Sequence, residues 1–208
     1  MNTFLFGCER ENRIRGLLLL HPYCSTSIIH RCFFAGMNSG KRKARQVLER
    51  MVKKRGMMKR FKYGEYIYHI GKKSPQWLHF HNVTKFYFDI FFHLKKPQRI
   101  VYYKREHAYP FGKADALFYI QLEADGGGIK FFLEMDDETN EFKKIQQYEE
   151  YYQSKLWVKE FWADPLKRGM PRFPMVVVVS EREPPDSETI KVVHLKPGSV
   201  AEWATKGF

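Results

Sequence analysis

The sequence predicts a mixed α/β chain of two modules, an all-α module closed by a basic hairpin and then an α-β-β-β-α-β module. Three observations lead there. Charge is divided: residues 1–110 hold 23 Lys and Arg against 6 Asp and Glu, whereas 111–208 hold 13 against 17. Apolar spacing changes from helical in the first part to strand-like alternation beyond Arg99. Gly71-Lys72-Lys73-Ser74-Pro75 reads as a linker, giving modules 1–73 and 74–208. Hydrophobic residues make up 44% and aromatic residues 16% of the 208, enough apolar mass to exclude a disordered chain.

In the first module, Asn12 to Leu20 reads as a helix with Ile14, Leu17 and Leu18 on one face, stopped by Pro22. Ser25 or Thr26 caps a short second helix, Ser27 to Phe34, which buries Ile28, Ile29 and Phe33. After a turn at Ala35–Asn38, a third helix runs from Ser39 to Arg55, capped by Asn38 or Ser39. Its Ala44, Val47, Leu48, Met51 and Val52 form a full amphipathic stripe. Gly56 reads as the helix-ending residue, and Met57–Lys62 and Glu65–Ile70 read as two strands around Tyr63-Gly64. Helices followed by a basic hairpin is the order of a winged helix-turn-helix.

The second module opens on an aromatic segment, Gln76 to Leu94. Val83, Tyr87, Ile90 and Leu94 share a helical face, while Phe86, Phe88, Phe91 and Phe92 cover others. A helix so apolar all round is expected to pack on several sides, between the modules or against a second copy, so a homodimer is expected. Arg99–Lys104, Ala114–Leu122 and Ile129–Asp136 read as strands, with Asp125–Gly128 as the turn between the last two. A helix is expected from Thr139 to Trp157. Met175–Val179 reads as a buried central strand, and Ile190–Leu195 as one more.

Two constellations carry chemistry. Between Lys41 and Arg60 there are ten basic residues and one acid, Glu49. With the apolar stripe buried, Lys41, Arg42, Arg45 and Gln46 lie outward: Arg42, Arg45 and Gln46 suit base edges, and Lys41 suits phosphate. Asn38 and Ser39 add backbone N–H groups at the helix start. Lys59, Arg60, Lys62 and Tyr63 on the hairpin suit the DNA backbone or minor groove. The second constellation is acidic. Strand periodicity puts Glu134 and Asp136 on one face, and Asp115 on an adjacent strand brings three carboxylates together, a donor set for Mg²⁺ or Mn²⁺. Lys143, Lys144, Gln147 and Tyr148 follow on the next helix.

The α-β-β-β-α-β order, with Ala114-Asp115 and Glu134-Met135-Asp136, resembles the PD-(D/E)XK nuclease fold. That resemblance implies Asp115 and Glu134 as metal ligands. It also implies a lysine two positions past Glu134, where this chain has Asp136, and Ala114 stands in place of a proline. A carboxylate cannot supply the positive charge beside a scissile phosphate, so hydrolysis is not expected unless Lys144 takes that role. The whole chain is similar to the replication-relaxation family of plasmid, phage and conjugative elements. The similarity rests on the winged helix, Lys113–Leu117, Phe132–Asp136, the Lys144…Tyr148…Tyr152 spacing and the Phe173-Pro174…Val179 strand.

The expected function is therefore sequence-preferring duplex-DNA binding in replication, transfer or transcription control of a mobile element, with a catalytically silent nuclease-like module. The alternative is a Mg²⁺- or Mn²⁺-dependent DNA endonuclease using Asp115, Glu134 and Lys144. DNA binding itself requires no cofactor. The run Gly16–Leu20 is too short for a membrane span, and three cysteines in no ligand spacing favour a reducing, cytoplasmic setting.

Overall fold

The computed structural model describes residues 3–53, 56, 58–124, 127–136, 144–163 and 172–206, with side chains from Cys8 onward. It is mixed α/β, with two sheets, and divides into two compact units, Met1–Phe88 and Asp89–Phe208.

The first unit contains α1 (Thr3–Leu20), β1 (Cys24–Ser25), α2 (Thr26–Phe33), α3 (Gly40–Lys53), β2 (Lys59–Tyr63) and β3 (Glu65–His69). Helix α1 starts at Thr3 rather than Asn12. Glu11, 1% exposed, is bonded to Arg50 of α3, a polar anchor that apolar periodicity does not register. Ser25 caps α2 by accepting from the Ile28 N–H at 3.3 Å. The turn into α3 needs a glycine, because a Cβ on Gly40 would sit 2.3 Å from the Phe34 carbonyl oxygen. Ile14, Leu18, Ile29, Phe34, Ala44, Leu48, Met51 and Ile67 form the buried interior. Strand β1 is a strand that the sequence pattern does not predict. It pairs antiparallel with β3, which also pairs with β2 across Gly64 (φ 65°), giving the sheet order β1-β3-β2.

The division between units falls inside α4 (Trp77–His93), beyond the Gly71–Pro75 segment. The first half of α4 belongs to the first unit because polar contacts hold it there. His81 Nδ1 lies 2.7 Å from the Tyr23 carbonyl oxygen, and Thr84 Oγ1 donates to the Pro22 carbonyl at 2.8 Å. The Trp77 ring also meets Phe61 and Tyr63 of β2 edge-on.

The second unit continues through β4 (Arg99–Tyr109), β5 (Gly112–Gln121), β6 (Gly128–Met135), α5 (Lys144–Ser154), a 3₁₀ turn (Leu156–Lys159), β7 (Met175–Val179), β8 (Val192–Leu195) and α6 (Val200–Lys206). The sheet runs β4-β5-β6-β7-β8; its first three strands are antiparallel, and β6, β7 and β8 are parallel. The parallel β6–β7 pair requires a crossover, which contains α5. Strand β4 extends to Tyr109, past the expected Lys104. The expected helix start at Thr139 and the turn residues Asp125 and Gly126 lie outside the described residues. Lys155, in the left-handed region (φ 57°), ends α5 ahead of Trp157. On one sheet face Leu117, Phe132, Ile145, Tyr148, Tyr151 and Trp157 belong to one buried cluster. On the other, Phe118 stacks on Phe131, whose ring meets Trp203 of α6. Val176 to Val179 are all buried, as expected of an inner parallel strand. No described helix is long and apolar enough to cross a membrane.

Candidate functional site

In the first unit, the amphipathic pattern of α3 determines which charges face solvent. Gly40, Ala44, Leu48 and Met51 are buried, so Lys41, Arg42, Arg45 and Gln46 stand exposed on the opposite side. Asn38 and Ser39 precede the helix, and the Ser39 carbonyl accepts from Lys43 N–H at 3.0 Å. On the hairpin, Lys59, Lys62 and Tyr63 are exposed, whereas Arg60 is half-buried with its guanidinium 4.2 Å from the Tyr66 ring centroid. Two charges of α3 are already engaged: Arg50 with Glu11, and Lys53 with Glu49 at 2.7 Å. The Lys53 pairing is the main cause holding the Glu49 carboxyl below its usual range. Lys73 falls in the linker by sequence, which gives it no role. Its ammonium lies 3.9 Å from the Phe61 ring and 4.6 Å from the Trp77 ring, a cation–π contact behind the hairpin.

In the second unit, Asp115 and Glu134 occupy neighbouring strands, one register step past the Ala116–Leu133 pair, so they share a face. Asp115 lies within β5, three residues past its start, and Glu134 is fully buried. Lys144, the first described residue of α5, donates to Glu134 Oε2 and lies 3.6 Å from Asp115 Oδ1. Tyr148, one turn along, donates its hydroxyl to Glu134 Oε1. Asp115 Oδ2 accepts the Met135 backbone N–H at 2.7 Å. The Tyr148 ring stacks between Tyr109 and Phe132, each centroid 5.0 Å away.

The electrostatics follow from burial. Burial first, then the Asp115 charge, push the Glu134 carboxyl up to about 8, against the pull of Lys144 and Tyr148. Burial acts to lower the Lys144 ammonium, but Glu134 and Asp115 outweigh it and hold it above its ordinary value. Burial and the Glu134 charge keep the Tyr148 hydroxyl protonated well past its usual range, so it remains a donor.

The sequence pattern makes Asp115, Glu134 and Asp136 a carboxylate set for a divalent cation. The structure brings together Asp115, Glu134 and Lys144 instead. Asp136 lies one residue beyond β6, its N–H donating to the Val179 carbonyl. Among the described residues, no group of three His, Cys, Asp or Glu is arranged to hold a metal ion. All four oxygens of Asp115 and Glu134 already face protein donors: two the Lys144 ammonium, one the Tyr148 hydroxyl and one a backbone N–H. A cation bridging the two carboxylates would have to displace that ammonium, so this arrangement does not fit a resident metal. Lys143 lies outside the described residues. Comparison with protein families, curated proteins and solved structures finds no match to this chain.

Proposed function

We propose that the chain is a duplex-DNA-binding protein whose first unit is a winged helix-turn-helix with α3 as its recognition helix. The observation that carries this reading is the exposed row Lys41, Arg42, Arg45 and Gln46 on a helix whose opposite side is buried. The element order and the β1-β3-β2 sheet support it, since a winged helix pairs a short first strand with the hairpin in this way. Arg42, Arg45 and Gln46 read base edges, while Lys41, Lys59 and Lys62 hold phosphates. By similarity to the replication-relaxation family, the DNA belongs to a mobile element and the protein acts in its replication, transfer or transcription; the aromatic segment Gln76 to Leu94 is the ground for a homodimer. The test is footprinting on the DNA flanking its own gene, with wild type and Arg45→Ala compared. A protected site that fades in the variant supports the reading, and no protection at any site overturns it.

In this reading the second unit is a nuclease-like module without nuclease activity, because Lys144 neutralises the carboxylates that a metal would need. One observation favours a second reading. A lysine between an Asp and a Glu is also what a PD-(D/E)XK nuclease uses, supplied here from the following helix. Supercoiled plasmid incubated with Mg²⁺ or Mn²⁺ separates the two. The first reading predicts no nicking. Nicking abolished by Asp115→Ala, Glu134→Ala and Lys144→Ala alike establishes the second.

A further inference from the structure

Tyr23, the residue before β1, ties three segments of the first unit together. Its backbone lies in the left-handed region (φ 62°), a conformation that a tyrosine keeps only where its surroundings enforce it. Its hydroxyl accepts the Ser74 N–H at 2.6 Å, and its carbonyl oxygen lies 2.7 Å from His81 Nδ1 on α4. Its ring stacks on His69 of β3 at 5.5 Å and on Phe80 of α4 at 6.3 Å. The His69 ring also meets Phe61 of β2, which in turn meets Trp77 edge-on. Two imidazoles, 4% and 8% exposed, therefore sit where β1, the hairpin and the first half of α4 join.

Each ring is held in a place that suits its neutral form. A carbonyl only accepts, so His81 donates from Nδ1 to Tyr23, and in acid its other nitrogen gains a proton inside a buried site. Burial holds His81 below its ordinary 6.5, outweighing the Tyr23 bond and the Glu65 charge, while Lys85 adds to the lowering. Glu65 is itself bonded to the N–H and hydroxyl of Ser27. His69 faces two cations, Lys59 directly across the hairpin and Lys73. Burial first, then those lysines, outweigh the Ile70 backbone and hold this ring below 6.5 as well. We propose that His69 and His81 form an acid-sensitive latch: when the rings gain protons, the first half of α4 lifts from β1 and the hairpin. A proton on His69 gathers three cations at the hairpin, and a proton on His81 buries a charge. Both costs are relieved when α4 lifts and water reaches the rings, which also takes Trp77 away from Phe61 and Tyr63. The latch does not depend on what α3 or the hairpin contacts.

Because both folded values lie below 6.5, the released form binds protons more readily than the docked one. Docking is therefore full above pH 6.5 and weakens as pH falls, by up to about tenfold per pH unit for each histidine until its ring titrates in place. Hydrogen exchange of the full chain at about pH 7.5 and about pH 5.5, corrected for intrinsic exchange rates, reads this directly. Protection across residues 77–88 should fall on the order of tenfold in acid, whereas α3 should change much less. The double variant His69→Phe, His81→Asn keeps a ring against Tyr23 and an amide donor to its carbonyl, but neither side chain titrates. It should remove most of the fall. Ring titrations of the wild type by NMR need no variant, and both rings should titrate below 6.5. Either ring titrating at 6.5 or above, an equal fall in α3 and α4, or an undiminished fall in the double variant overturns the proposal. Duplex affinity at neutral pH is untouched by any of these outcomes, so a failed latch is distinct from a failure of the α3 reading.

Discussion

The two units use charge in opposite ways. On α3, Lys41, Arg42 and Arg45 are displayed to solvent by a helix buried on its other side. In the second unit, Asp115, Glu134 and Lys144 meet one another at the sheet, with Glu134 fully buried. Displayed charge contributes little to stability and is available to a polyanion. Buried paired charge does the reverse: breaking the pair is destabilising, and its atoms are already bonded to one another. On the proposed function, binding belongs to the first unit and cohesion to the cluster of the second. It also predicts that mutations in the two places produce separable effects.

The largest expected effect comes from breaking the buried pair. At about pH 8 and above, where Glu134 is ionised, Lys144→Met leaves it without its cation and should destabilise the second unit by about 2–3 kcal/mol. That is below the range for a fully buried pair, because 36% of the Lys144 side chain meets solvent. The loss should depend on pH with a definite sign. The folded Glu134 pKa lies near 8, above its ordinary 4.5, so the folded state holds the proton more tightly and stability falls as pH rises between those values. A protonated Glu134 needs no cation, so Lys144→Met should be better tolerated at about pH 5 than at about pH 8. Thermal denaturation at both pH values checks this, and an equal loss at both would remove the buried carboxylate from the account.

Arg45→Ala should do the opposite. It is expected to weaken binding to a specific duplex by about 1–3 kcal/mol, with much less effect on random DNA. Its melting temperature should stay close to wild type, since exposed substitutions change stability by only about 0.5 kcal/mol or less. Equal losses on both DNAs would reassign Arg45 to phosphate contact. A smaller effect sharpens the comparison further. Tyr148→Phe removes one donor to Glu134 and should cost about 1–2 kcal/mol of stability with no change in duplex affinity. The smallest expected effect is that of Mg²⁺ or Mn²⁺ on melting: near zero in wild type, because the carboxylate oxygens are already occupied. A clear upward shift would support the nuclease reading.

Helices α2 and α3, the hairpin and strands β5 to β8 are legible in the sequence because each carries a local apolar period with turn residues at its ends. What periodicity misses is non-local. Strand β1 is two residues long, and only its pairing with Tyr68 and Ile67 makes it a strand. The early start of α1 is marked by a buried glutamate paired across the fold, a feature that reads as polar surface in the sequence. Strand β4 keeps its register through Glu106, but its more buried positions there are Arg105 and His107, polar residues that hide the strand's continuation to Tyr109. That hidden segment supplies the ring stacked on Tyr148, so the aromatic wall of the cluster is not legible in the sequence. Asp115 and Glu134 are legible from strand alternation, and Lys144 through the nuclease resemblance. The sequence pattern runs the strand through Asp136, whereas β6 ends at Met135 and Asp136 follows it with its N–H still bonded to the Val179 carbonyl.

The central claim, that the displayed charge of α3 and the hairpin exists to meet DNA phosphates, is tested most directly by duplex affinity measured across salt concentration. If about five phosphates are neutralised, log K should fall with log[salt] at a slope of roughly −4 to −5. Replacing Lys59 and Lys62 by alanine should flatten that slope by about one for each phosphate no longer neutralised. A wild-type slope near zero, or one untouched by either replacement, would contradict the account.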